Sequence, residues 1–153
     1  MIQRIQTIYL ALSVILTSLL FYIKLVTFAA PDGIFTMYYN GIFKGEPDAG
    51  DIYMNVTAFT ILLATSVLAG IITIFLYRKR ILQIRIAGLN IGLQLGLAAL
   101  IYFFARTAGN ELNADYTIPF SIAIPLVSVV LLLMAIKAIG KDEALIRSMD
   151  RIR

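Results

Sequence analysis

Four long apolar runs, at about residues 5–23, 56–77, 86–104 and 118–139, alternate with shorter polar segments along the chain. Each is close to the roughly 20 residues that a helix needs to cross ~30 Å of hydrocarbon. No Asp, Glu, Lys or Arg interrupts the first three, and the fourth holds only Lys137 near its end, where a long side chain can reach the headgroups. Backbone polar groups find no water at that depth, so helix is the expected state of all four. The pattern predicts an all-α membrane protein, one domain over residues 1–153 built as a bundle of four transmembrane helices.

Between the first two runs, residues 24–53 form a segment large enough to carry structure of its own. Residues 34–39 are rich in aromatic and strand-forming types, Asn40-Gly41 is a strong two-residue turn signal, and residues 42–44 can return, which predicts a small β-hairpin. Phe35, Met37 and Tyr39 fall on one strand face with Phe43 nearby, placed to cap the helices or dock a partner, while interfacial anchoring is the commoner role for Tyr38, Tyr39 and Tyr53. The acids that follow, Glu46, Asp48 and Asp51, read as a solvated loop, because a calcium site needs more oxygen ligands at organised spacing. Residues 141–153 read as an amphipathic helix after a break at Gly140, with Leu145, Met149 and Ile152 as its apolar seam.

Within the spans, Gly88, Gly92 and Gly96 recur every fourth residue on the third helix, with Ala99 following on the same face. Such a stripe lets another helix approach closely in a medium that supplies no hydrophobic drive for association. Asn90 and Gln94 sit on roughly the opposite side, and Ile86, Leu89, Leu93, Leu97, Leu100 and Phe104 make a greasy face between. The second helix offers Ser66 and Gly70 as a mate for the stripe or the amides. The amides are expected to hydrogen-bond to a neighbouring helix, and the alternative is a polar lining made by Asn90, Gln94, Thr65 and Thr73. Pro119 is expected in the first turn of the fourth helix, and Pro125, deeper in, is expected to kink it.

Charge orients the bundle. Arg4, Arg78, Lys79, Arg80, Arg85, Lys137, Lys141, Arg147, Arg151 and Arg153 fall on one side, against only Lys24, Lys44 and Arg106 on the other. The positive-inside rule then puts both termini and the second connection in the cytoplasm. The net charge of +4 reflects this topology rather than nucleic-acid binding. Arg78, Lys79, Arg80, Arg85, Lys141, Arg147, Arg151 and Arg153 are the candidate contacts to anionic lipid or a partner. A cleavable signal peptide fits less well than an uncleaved first helix, since the first run is long and Phe28 suits a cleavage site ending at Ala30 poorly.

Composition removes much chemistry. The chain has no Cys and no His, hence no disulfide, no zinc site of the usual kind, no axial His on a haem and no His general base. Phosphate-loop and nucleophile-elbow motifs are missing, and no ionisable group lies at mid-span to couple an ion. No catalytic residue, cofactor or metal is expected.

Three segments, Met1-Ile2-Gln3-Arg4-Ile5-Gln6-Thr7-Ile8-Tyr9-Leu10, Arg78-Lys79-Arg80 leading to Leu82-Gln83-Ile84-Arg85, and the tail from Lys141-Asp142-Glu143-Ala144-Leu145 through Ser148, Asp150, Arg151 and Arg153, resemble domain-of-unknown-function family 4293. The resemblance implies a short four-span inner-membrane protein of Bacteroidota with its outer face in the periplasm. It implies no activity or catalytic residue. The expected function is a non-enzymatic accessory or assembly subunit of a larger inner-membrane complex, with lipids and other membrane subunits as partners. A small-solute channel or transporter is the alternative, and an intramembrane enzyme using the periplasmic carboxylates comes third.

Overall fold

A computed structural model describes residues 3–45, 52–116 and 120–150 of the chain. Four helices, α1 (Gln3–Leu19), α2 (Thr57–Phe75), α3 (Arg80–Glu111) and α4 (Ala123–Asp150), pack so that α1 and α3 each lie against both α2 and α4. Three segments, Thr57–Phe75, Arg80–Glu111 and Phe120–Ala144, are long and apolar enough to cross a membrane, which by length and composition marks a membrane protein. α1 is shorter, with 17 residues, about 25 Å at the helical rise. The rest of its apolar run leaves the helix in turns, with Phe21 N–H on the Ser18 carbonyl at 3.1 Å.

The helices bury a seam at heptad spacing. On α1 it runs Gln6, Leu10, Ser13 and Thr17, continued by Leu20 just past the helix, and on α2 Phe59, Leu63, Ser66, Gly70 and Thr73. On α3 it includes Gln83, Ala87, Asn90, Gln94, Leu97 and Ile101, and on α4 Ser128, Leu132, Ala135, Ile139 and Asp142. Alternating steps of four and three residues average 3.5, the repeat that keeps one face of a helix against its neighbours and favours left-handed supercoiling. Outside the seam, large apolar side chains face the surroundings, among them Ile8, Ile15, Leu68, Phe75, Leu89 and Val130. Amides, hydroxyls and small residues mixed into the buried seam beneath an apolar exterior are unlike a water-soluble helical protein, and the arrangement suits hydrocarbon.

At one end of the helices lies a five-stranded antiparallel sheet in the order β4-β3-β2-β1-β5, made of β1 (Val26–Ala30), β2 (Gly33–Met37), β3 (Gly41–Lys44), β4 (Ile52–Asn55) and β5 (Asp115–Tyr116). The predicted hairpin is thus the centre of a larger sheet. β1 turns into β2 through Pro31 and Asp32, and Gly33, paired with Ala30, takes φ +130°, a conformation that needs glycine. The second hairpin is one residue out of the expected register. Met37 pairs with Ile42 and Tyr38 N–H bonds the Gly41 carbonyl, so the tip is Tyr39-Asn40 and Gly41 opens β3 with negative φ. That pairing sends Phe35 and Met37 toward the helices, the capping arrangement of the two, but puts Phe43 beside Thr36 on the other sheet face. Val26, Phe28, Phe35, Met37 and Ile42 form one apolar cluster with Leu20, Val56, Phe59, Leu97 and Ile101, which joins the sheet to the helix ends.

Two expectations about α4 are corrected. The helix runs through Gly140 without a break. Pro125 does not kink a span, because a 3₁₀ turn (Phe120–Ile122) precedes α4 and puts Pro125 at its third residue, where no intrahelical acceptor is lost. Ser121 Oγ in that turn donates to the Leu25 carbonyl at 2.6 Å, tying α4 to the sheet. α3 extends well past residues 86–104 at both ends and stops in a Schellman turn, with Asn113 at φ +46° and Ala114 N–H on the Gly109 carbonyl at 3.0 Å. Pro119, the acidic loop at Glu46, Asp48 and Asp51, Arg151, Arg153 and the side chains of the Leu145–Met149 seam and Arg147 lie outside the described residues.

Candidate functional site in the helical interior and at its basic end

Asn90 and Gln94 converge with hydroxyls from the other three helices into one buried layer. Gln94 Nε2 donates to Thr17 Oγ1 at 2.6 Å and to Ser66 Oγ at 3.2 Å. Ser66 Oγ passes its own proton to Asn90 Oδ1 at 2.8 Å, and Thr17 Oγ1 donates to the Ser13 carbonyl at 2.8 Å. Ser128 Oγ of α4 completes the set, 3.4 Å from Thr17 Oγ1. Both hydroxyls facing Gln94 spend their protons elsewhere, so they can only accept from it, and this fixes which end of the amide faces them. Gln94 and Asn90 are each 1% exposed. Two atoms of the layer, Gln94 Oε1 and Ser13 Oγ, have no hydrogen-bond partner.

This layer carries no charge and no activated nucleophile. What it can do is hold the helices in register, since sliding one along another would break these bonds between amides and hydroxyls in an apolar medium. Gly70 makes the closest approach possible: a Cβ there would stand 2.6 Å from Val14 Cγ2 and 3.4 Å from Asn90 Nδ2. The small face of α2 therefore mates with the amides rather than with the glycine stripe. A Cβ added at Gly88 or Gly92 would meet nothing within 4 Å, one added at Gly96 would stand 3.1 Å from Leu62 Cδ2, and Ala99 is exposed. The Leu-rich face of α3 also divides, with Leu89 outward and Leu97 fully buried.

Of the four residues expected to form a polar lining, two meet. Thr65 is exposed and donates to its own helix at the Ile61 carbonyl, 2.8 Å away. Thr73 is buried a level lower, where its hydroxyl caps the Ala69 carbonyl at 2.6 Å and its carbonyl accepts from Gln83 Nε2 at 3.1 Å. At the same end Gln6 Nε2 donates to the Ala138 carbonyl at 3.1 Å and to Asp142 Oδ2, binding the start of α1 to α4. Gln6, Ser13, Gln83, Ser128 and Asp142 escaped the sequence reading. Their signal was the heptad spacing of polar residues, invisible to a search for apolar periodicity.

Beyond that lower layer the basic residues gather. Arg78, Lys79, Arg80 and Arg85 line a cleft of 480 Å³ together with Ile81, Leu82 and Glu143. Lys141 does not line it. Among the described residues no group of three or more His, Cys, Asp or Glu is placed to hold a metal ion.

A family model described as a domain of unknown function, DUF4293, matches residues 2–152. The chain belongs to this family. The likeness read from its ends and its central basic link thus extends over nearly the whole chain. No curated protein and no solved structure matches it.

Proposed function

We propose that this chain is a non-enzymatic, four-span subunit of the inner membrane of a Gram-negative bacterium, and that it assembles with a larger integral membrane protein through α3. In this reading both termini and the α2–α3 link are cytoplasmic and the sheet is periplasmic. Ten of the 13 basic residues on the α2–α3 side support that orientation. The observation that carries the proposal is the outward glycine stripe. Gly88 and Gly92 bare the backbone of α3 to the surroundings while the chain's own packing uses the opposite face. In lipid such a surface is where a second helix gains most from close contact. The buried amide layer, hydrogen-bonded across helices, supports this reading over a solute path.

The test is purification from native membranes in lipid nanodiscs, with mass determination of the wild type and of Gly92→Leu. The expected result is a stoichiometric larger partner on the wild type, and a folded Gly92→Leu chain without it, since nothing inside the protein opposes a side chain at that position. A lone monomer or homo-oligomer would overturn the subunit reading, and a partner retained by Gly92→Leu would overturn the stripe as its interface.

A further inference from the structure

The cleft at the α2–α3 link has the makings of a ligand site. Its wall brings together Arg78, Lys79, Arg80 and Arg85 against the single described carboxylate of Glu143. Four cations lining one cleft make its potential positive and favour an anion among them. Arg80 shows the deficit most directly: its Nη1 is buried and has no hydrogen-bond partner. A buried guanidinium N–H without an acceptor costs more than an ordinary unmade bond, because the donor is charged. The start of α3 adds to the field. Lys79 provides no side-chain cap, and no acidic residue lies in the first turn, so the uncapped N–H groups present their partial positive charge at the cleft.

The shape of the wall indicates what the anion is attached to. A second cavity of 280 Å³, lined by Phe75, Leu76, Arg78, Lys79 and Leu82, shares three residues with the first. One side of the site is therefore cationic and the other apolar. Phe75, Ile81 and Leu82 continue outward onto the apolar exterior of the helices, where Phe75 is 73% exposed. Arg78 is steadied at the rim, its Nε donating to Tyr77 Oη at 3.3 Å. The main cleft falls in the usual range for small-molecule sites, roughly 300–1,000 Å³. Several Arg forks match the tetrahedral, multiply accepting phosphate better than a single carboxylate.

We propose that this cleft binds the phosphate of an anionic phospholipid headgroup, Arg80 and Arg85 holding the phosphate oxygens while Phe75 and Leu82 flank the glycerol and the first acyl carbons. The site does not depend on the subunit reading, since its lining comes from this chain alone. It differs from diffuse attraction to an anionic surface in depending on position as well as on net charge.

The test titrates the full-length protein in nonionic detergent with phosphatidylglycerol, phosphatidylcholine or inorganic phosphate, and counts bound ligand by native mass spectrometry. The wild type is expected to hold one phosphatidylglycerol at least about tenfold more tightly than phosphatidylcholine, and to show no saturable phosphate binding. Arg80→Gln/Arg85→Gln should weaken that lipid roughly 30-fold, from the usual contribution of each interfacial cation. Lys137→Gln/Lys141→Gln removes the same charge outside the cleft and should change it less than about threefold. Equal losses in the two double variants, or equal binding of the two lipids by the wild type, would overturn the proposal. Saturable capture of inorganic phosphate without preference for phosphatidylglycerol would overturn the lipid as its source. The wild-type comparison of lipids decides the matter even where a variant fails to fold.

Discussion

The two halves of this molecule are built to opposite rules. In the sheet and the helix ends beneath it, Phe28, Phe35, Met37, Ile42 and Phe59 are buried together, as in a protein that folds in water. Half-way down the helices the inside is Gln94, Asn90, Ser66 and Thr17, and the outside is leucine, isoleucine and valine. The difference is the one expected when the sheet faces water and the middle of the helices faces hydrocarbon. Facing water, apolar surface is driven inward. Facing hydrocarbon, an apolar side chain gains little from moving inward, and hydrogen bonding with close backbone contact decides the interior.

The largest expected effect lies in the water-like half. Phe28→Ala removes a fully buried ring between sheet and helices, and is expected to cost about 3–5 kcal/mol, read as a lower unfolding midpoint in detergent. Next comes a matched pair that tests the contrast itself. Leu68 and Ile34 are both about 60% exposed, at 59% and 62%, one on a helix and one on the sheet. Leu68→Asp is expected to cost about 3 kcal/mol in a membrane-insertion assay. Ile34→Asp should cost about 1 kcal/mol or less in stability, the range of a strand-propensity change. Equal effects of the pair would mean that the two surfaces face the same solvent.

Packing within the membrane-like half gives the third comparison. Gly70→Leu drives a side chain into Val14 and is expected to destabilise by about 1–3 kcal/mol, as overpacking does. Gly92→Leu should stay within about 0.5 kcal/mol of wild type in the same thermal unfolding series, like a surface substitution. The smallest effect belongs to the amide layer. Gln94→Leu and Thr17→Val combined in a double-mutant cycle should couple by about 0.6 kcal/mol, the mean for hydrogen bonds between membrane helices. A coupling near zero would mean that the 2.6 Å contact between them holds nothing in place.

Much of this was legible along the chain, for reasons that differ by element. Long apolar runs revealed α2, α3 and α4 because hydrocarbon sets a length. The Phe35 and Met37 alternation revealed the inner face of β2. The turn was misread by one residue because Asn40-Gly41 is favourable in isolation, whereas the pairing of Met37 with Ile42 decides which two residues remain unpaired. β1, β4 and β5 went unseen. Each has two to five residues, too few for a pattern, and they become strands only by pairing across loops. Gly140 and Pro125 carry the same lesson, since neither breaks a helix where its position relative to the helix start and its neighbours leaves nothing to break.

By itself the sequence determined the apolar length of the spans and the side on which Lys and Arg collect, because both depend on composition within a segment. Tertiary structure alone decided which small and polar residues are used. Gly70 is packed tight and Gly92 is bare, Thr17 is bonded across helices and Thr65 only to its own turn, Arg80 holds a buried, unpartnered N–H and Lys141 is exposed. These residues are alike in type, and only the rotation of each helix about its neighbours separates them.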